Sequence, residues 1–206
     1  WLTAVESTAL VNKPMELYAE KNPLKAHRDR AILAVAVGCG LRQSELAALS
    51  YEMIQQRNGR WAIVDIFGKG SKYRTIGLAP WVKEAVDSWV DVSRARNGRL
   101  FRAINKAGKL SGSVRSKNGV VTSGGMSNEA IWHTVKRYGI ACGIDLSTHD
   151  LRRTAAALAL EGGATIREIQ AMLGHASIAT TEIYLKPLMD LRNTAADKIF
   201  ISLKHP

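Results

Sequence analysis

The stretch AHRDRAILAVAV, residues 26 to 37, constrains this chain more than any other. It opens with a charged turn and then continues through apolar residues alone, so it reads as a helix that becomes fully apolar. Gly38 and Gly40 follow at once and end it, as glycines after helices do. A helix apolar on every side needs other elements around it. A chain of 206 residues is long enough to build that core as one domain.

The surrounding elements carry their own signals. Residues 43 to 50 read as a second short helix, and WAIVDIF (61 to 67) and YRTIGL (73 to 78) as two strands joined by GKGS, a hairpin pattern. Pro80 opens a helix that runs to about Ser93, with Trp81, Ala85, Trp89 and Val92 at helical spacing. Ser127 is a suitable N-cap for a helix carrying Ile131, Val135 and Tyr138 on one face. Thr148 is the expected cap of HDLRRTAAALALEGG, which stops at Gly162 and Gly163. Thr165 and Glu168 form a T-x-x-E capping box for TIREIQAML, which stops at Gly174. Ser177 opens SIATTEIYL, and Pro187 interrupts it. The tail from Leu188 to Leu203 is amphipathic, with Leu188, Leu191, Ala195 and Ile199 along one stripe. The expected fold is mainly α with a small antiparallel β-sheet, an α+β domain.

Charge is the first functional hint. Lys and Arg number 29 against 18 Asp and Glu, a net charge of +11, and the cations are scattered as KAHRDR, GKGSKYR, SRARNGR, RSK, VKR and LRR. A basic surface spread through a folded domain suits a polyanion such as nucleic acid, although a merely soluble basic protein has the same totals. Residues 94 to 126 are rich in Gly, Ser and Lys. They read as a short strand at Leu100–Phe101 followed by a long loop, an extended segment on DNA, or an edge hairpin. No apolar run approaches the ~18 residues that a bilayer requires, so no membrane partner is expected. Cys39 and Cys142 lie far apart in apolar surroundings, which predicts free, buried thiols in a reducing compartment and a cytoplasmic location. The chain begins Trp-Leu-Thr rather than with methionine, so a further N-terminal part is expected.

Four clusters have the residue types for chemistry. Arg42 follows a Gly-x-Gly-Leu turn with Glu45 three residues on, which suits either a surface ion pair or a phosphate fork braced by a carboxylate. Lys69 sits between two glycines at the hairpin turn, where a rigid support can aim it into a cleft, and Lys72 and Arg74 after it look like backbone-phosphate contacts. His149 and Arg152, spaced i, i+3, share a face at a helix N-terminus, where free N–H groups already favour an anion. Arg153 points elsewhere, as a surface or DNA-backbone contact. His175 precedes Tyr184 by nine residues of small, hydroxylated character that allow a tight turn. A tyrosine hydroxyl with a free pKa of about 10 needs cationic neighbours to act as a nucleophile. Without them Tyr184 is a buried aromatic. The histidines are isolated and no Cys-x-x-Cys occurs, so no metal or other cofactor is expected. Neither a phosphate-binding G-x-x-x-x-G-K-[ST] nor a G-x-S-x-G elbow is present.

Taken in order, GLRQSELAALS, FGKGSKYRTIGL, THDLRRTAAALAL and LGHASIATTEIYLK resemble the catalytic domain of the tyrosine recombinase (phage integrase) family. The resemblance implies that Tyr184 attacks a scissile DNA phosphate to form a 3′-phosphotyrosyl link. Arg42 and Arg152 would hold the non-bridging oxygens, and His149 would act as general base or hydrogen-bond donor. His175 would donate a further hydrogen bond, Lys69 would protonate the departing 5′ oxygen, and Glu45 would orient the site without reacting. Such a reaction conserves bond energy in the protein–DNA link and so needs neither ATP nor a metal.

The resemblance further implies double-stranded DNA with specific sites as the partner, a homo-tetramer on synapsed DNA, and accessory directionality or bending proteins. Residues 1–206 would form the catalytic domain, with the N-terminal core-binding domain of the family absent and the 187–206 tail packed in cis or exchanged between protomers. Gly77 stands where the family commonly has proline. The rivals are a type IB topoisomerase with the same chemistry and a non-catalytic DNA-binding module on the same fold.

Overall fold

A computed structural model describes residues 1–68, 73–111, 114–115, 121–122 and 124–185, with the backbone alone at 114–115, 121–122 and Tyr184. Lys69, Lys72, the side chain of Tyr184 and the tail from 187 onward lie outside the described residues.

The apolar stretch forms α2 (Pro23–Cys39), with Pro23 at its first turn and Gly40 closing it in the left-handed conformation at φ 59°. From Ala31 to Val37 every side chain is buried. Three helices pack around it: α1 (Ala4–Tyr18), α4 (Pro80–Ser93) and α6 (Thr148–Glu161). The sequence reading passed over α1, although Thr3 and Glu6 close a full capping box at its start. Pro14 inside that helix argues against it in sequence, yet the helix continues to Tyr18. The helix α3 (Gln43–Ala48) follows the Gly40 turn. Within the core Asp29 is fully buried, and it accepts from Tyr138 Oη at 2.8 Å and from Arg28 Nη2 at 2.7 Å. A buried carboxylate needs such partners.

The hairpin is present as β2 (Arg60–Phe67) and β3 (Tyr73–Gly77), and β1 (Ile54–Arg57), which the sequence reading missed, completes an antiparallel sheet in the order β1-β2-β3. Its register shifts between Ile63 and Ile66, where Asp65 takes a positive φ of 55°. Such a bulge re-aims the strand that follows. The expected strand at Leu100–Phe101 is not formed. Those two residues are buried between isolated bridges at Ser50–Arg99 and Arg102–Gly125, and Leu100 O is held by Trp89 Nε1 at 2.8 Å. A short pair, β4 (Val114–Arg115) with β5 (Val121–Thr122), forms later in the same polar segment.

Ser127 caps α5 (Asn128–Ala141), whose Ile131, Val135 and Tyr138 are fully buried, as the pattern predicts. The cap of α6 is Ser147, one residue before the expected Thr148, because Asp150 completes a capping box with it. Thr165 and Glu168 cap α7 (Ile166–Leu173), and Gly174 ends it with φ 65°. Last comes α8 (Ile178–Leu185). A small second core of Ala156, Ile169, Leu173 and Leu185 seats α7 and α8 on α6. Burial of a leucine of this kind contributes about 2 kcal/mol, so Leu185 is a substantial part of what holds α8. Cys39 is buried and Cys142 half-buried, and both are free thiols; burial pushes the Cys39 thiol up to about 12.

Candidate active site

The termini of several elements meet at one place: the C-terminus of α2, the start of α3, strand β3, the start of α6 and the end of α7. Gly40 makes the meeting possible. A Cβ there would lie 2.8 Å from Leu173 Cδ2 and 3.2 Å from Ala155 Cβ, so the turn abuts α6 and α7 with no room for a side chain.

Arg152, on the first turns of α6, is buried at 3% exposure. Its Nη1 donates to Gly40 O at 2.6 Å and its Nη2 to Leu173 O. These carbonyls belong to the ends of α2 and α7, where the helix dipole is negative and the carbonyls lack intrahelical partners. A guanidinium is therefore stable here, and these two bonds account for two of its five N–H groups. His149 lies one turn earlier on α6 and is exposed. Partial desolvation, then the charge of Arg153, holds its imidazole below the usual range. Arg153 is exposed on the next position.

Arg42 stands at the N-cap position of α3 with a third of its side chain exposed. Glu45, 5% exposed in its side chain, reaches back to Arg42 N at 2.8 Å and to Arg42 Nη1 at 2.9 Å. The same carboxylate receives Arg74 from β3, Nη1 at 2.9 Å and Nη2 at 2.8 Å, a two-pronged pair. Burial alone would raise the Glu45 carboxyl. The bonds from Arg74 and Arg42 outweigh it and leave Glu45 below the usual range, hence ionised.

The placement of Arg74 corrects the sequence expectation. Its side chain is 11% exposed and turned inward, spent on Glu45 and, through Nε, on Met172 O at 3.0 Å. Gly174 permits this, since a Cβ there would lie 2.9 Å from Arg74 Cδ. The extra residue at the β2–β3 bulge leaves no simple alternation from which to read the facing of Arg74.

His175 follows Gly174 directly, half-buried, with Nδ1 3.0 Å from Thr181 Oγ1. Desolvation first, then the charges of Arg152, Arg42, Arg74 and His149, push its imidazole down to about 4. It is neutral at physiological pH. Arg74 and Arg152 are bonded to the carbonyls of Met172 and Leu173, just before His175, and Arg42 joins Arg74 on Glu45. Tyr184 is carried by α8, whose backbone continues from this segment. The structure thus brings together Arg42, Glu45, Arg74, His149, Arg152 and His175, while Lys69 lies outside the described residues. Among the described residues no group of three or more His, Cys, Asp and Glu is placed to hold a metal ion, and no helix is long and apolar enough to cross a membrane.

A mainly helical domain with a three-stranded sheet and a cluster of guanidiniums beside a tyrosine-bearing helix is the pattern of a tyrosine recombinase catalytic domain. The sequence profile of the phage integrase family matches residues 1–190, and the chain belongs to that family. It is 36% identical over 160 residues to the tyrosine recombinase XerD of Pseudomonas aeruginosa, covering 76% of this chain and 49% of that protein. Among solved structures it is similar to XerA recombinase, with a TM-score of 0.64 at 25% identity over 89% of this chain and 59% of that one. The XerH site-specific recombinase bound to a palindromic difH substrate in a post-cleavage complex shares the fold, with a TM-score of 0.65 at 23% identity over 90% of this chain and 49% of that one. The chain spans about half the length of the curated relatives it matches.

Proposed function

We propose that this chain is the catalytic domain of a site-specific DNA recombinase that cleaves and rejoins strands through a 3′-phosphotyrosyl intermediate on Tyr184. The observation that carries the reading is geometric: Arg42 and Arg74 share Glu45, Arg74 and Arg152 are held by the carbonyls at the end of α7, and His175 follows that end and reaches Thr181 of α8. A phosphodiester in transit to a pentacoordinate state gains negative charge on its non-bridging oxygens. Fixed guanidiniums stabilise that charge without reorganising.

In this reading Arg42, a third of it exposed, binds one non-bridging oxygen in the planar manner of a guanidinium. Arg152 supports the other from its seat on two helix ends. The Tyr184 oxygen attacks phosphorus and gives its proton to His149 or to solvent, the bond to the 5′ oxygen breaks, and Lys69 protonates that oxygen as it leaves. His175 donates a hydrogen bond to the phosphate. The free 5′-hydroxyl of another strand then reverses the sequence and returns the tyrosine. The bond energy of the phosphodiester stays in the phosphotyrosine, so strand exchange needs no nucleotide hydrolysis. Glu45 orients Arg42. Lys72 and Arg153 contact the DNA backbone, and the net charge of +11 supports the same surface. The working assembly is a homo-tetramer on two synapsed sites, with accessory directionality or bending proteins, in the cytoplasm.

The test uses nicked suicide duplexes with a randomised recognition arm, in which the short cleaved product diffuses away. The chain is expected to form an adduct that survives SDS, and Tyr184→Phe to form none. An undiminished adduct in the variant overturns the assignment.

A further inference from the structure

His175 and α8 are joined by a contact that the recombinase reading leaves unused. Nδ1 of His175 lies 3.0 Å from Oγ1 of Thr181. Thr181 is fully buried, and Leu185, four residues on, is buried at 3%, while Glu182 and Ile183 between them are exposed. Thr181 and Leu185 therefore form the seated face of α8. A threonine in a helix commonly gives its single proton to the carbonyl four residues back. Here the hydroxyl also has a ring nitrogen within hydrogen-bond distance as an acceptor for that proton.

A neutral imidazole carries one proton, and the partner of one nitrogen decides which nitrogen has it. With the proton on Nε2, the ring offers an N–H on the side away from Thr181. With the proton on Nδ1, it offers a lone pair there, which repels a phosphate oxygen. The cations facing the ring are Arg152, Arg42, Arg74 and His149, and together with burial they keep it neutral. Their charge does not choose the tautomer. The hydroxyl does.

We propose that Thr181 is a positioning residue that donates its hydroxyl proton to Nδ1 of His175 and so fixes His175 as an Nε2–H donor. This rests on the recombinase reading for its consequence, because the donor is useful only toward an anion. Thr181 and Tyr184 lie one turn apart on α8. The docking that presents the nucleophile's helix thereby also sets the tautomer of the donor. A site whose α8 is undocked lacks both at once, so the pairing guards against cleavage by a half-assembled centre.

Long-range 1H–15N spectra of the protein labelled at histidine nitrogen read the tautomer directly, with Leu185 amide exchange reporting whether α8 stays seated. Wild type and Thr181→Ser are expected to show the Nε2–H form at neutral pH, and Thr181→Val to gain the Nδ1–H form. A wild type with its proton on Nδ1 overturns the proposal, as does Thr181→Val with α8 seated and the Nε2–H form unchanged. On nicked duplex DNA, Thr181→Val is expected to cleave more slowly by up to about 100-fold, the effect of losing one oxyanion donor, with DNA affinity unchanged and Thr181→Ser restoring the rate. An undiminished adduct from Tyr184→Phe would remove the recombinase reading and leave the tautomer result standing.

Discussion

Replacing Arg74 with methionine keeps most of the apolar stem and removes three hydrogen bonds, two to Glu45 at 2.9 and 2.8 Å and one to Met172 O at 3.0 Å. Glu45, 5% exposed, is left with Arg42 N and Arg42 Nη1 as its partners. Removing one member of a buried ion pair costs about 3–5 kcal/mol, because the other charge stays desolvated. Arg42 remains, so the lower end applies, about 3 kcal/mol. In a domain of this size that lowers Tm by about 6–12 °C. Urea unfolding at neutral pH measures the loss, with an unchanged m-value showing that the native state keeps its compactness. The same variant distinguishes the inward brace from a DNA contact. Loss of a phosphate contact lowers the slope of log K against log salt by about 1. Arg74→Met is expected to leave that slope unchanged. A stability loss below about 1 kcal/mol together with a shallower slope would show that Arg74 faces DNA, and the reasoning from Glu45 would be refuted.

Acid should act on the site through His175. Its imidazole is depressed from 6.5 to about 4, so the unfolded chain binds the proton first as pH falls. The stability it contributes is present above pH 6.5 and is lost as pH drops toward 4; the ring is only half-buried, so solvent screening holds the loss between about pH 7.5 and about pH 5 to about 1 kcal/mol. His175→Gln should remove that part of the pH dependence in urea titrations, and identical slopes in the two proteins would contradict it. Gly40→Ala forces a left-handed φ of 59° on an alanine and a Cβ 2.8 Å from Leu173. It should lose about 2 kcal/mol or more in thermal unfolding. An unchanged Tm would mean that the α2 turn does not abut α7. Lys69→Ala should slow strand cleavage about 100-fold or more, as loss of a general acid does, and a 5′-thiol leaving group should restore the rate because a thiolate departs without a proton. Equal slowing of both substrates would remove Lys69 from that role.

Much of this architecture is legible from local chemistry. The run from Ala31 to Val37, the capping box at Thr165 and the Ser127 cap each specify a helix through interactions within a few residues. The α1 box of Thr3 and Glu6 is equally local, and the helix accommodates Pro14. The candidates at 42, 149, 152 and 175 rest on residue types and near neighbours, and the structure places them close to one another at the ends of α2, α6 and α7. The partners of Arg74 were not legible, because a bulge at Ile63–Ile66 and a close approach at Gly174 decide its direction, and both are products of tertiary packing. Thr181 was hidden for a related reason. In sequence it belongs to a run of small residues that read as turn formers, whereas the packing of α8 on α6 and α7 buries its hydroxyl against His175.

The central claim is that one tyrosine becomes covalently joined to DNA inside this cluster of cations. Digesting the SDS-stable adduct with protease and nuclease, then sequencing the nucleotide-bearing peptide by mass spectrometry, tests it most directly. The expected result is a single modified peptide containing EIYLK with the 3′-phosphate on Tyr184. A phosphonucleotide on any other residue, or DNA cleaved in quantity with no modified peptide, would contradict the account.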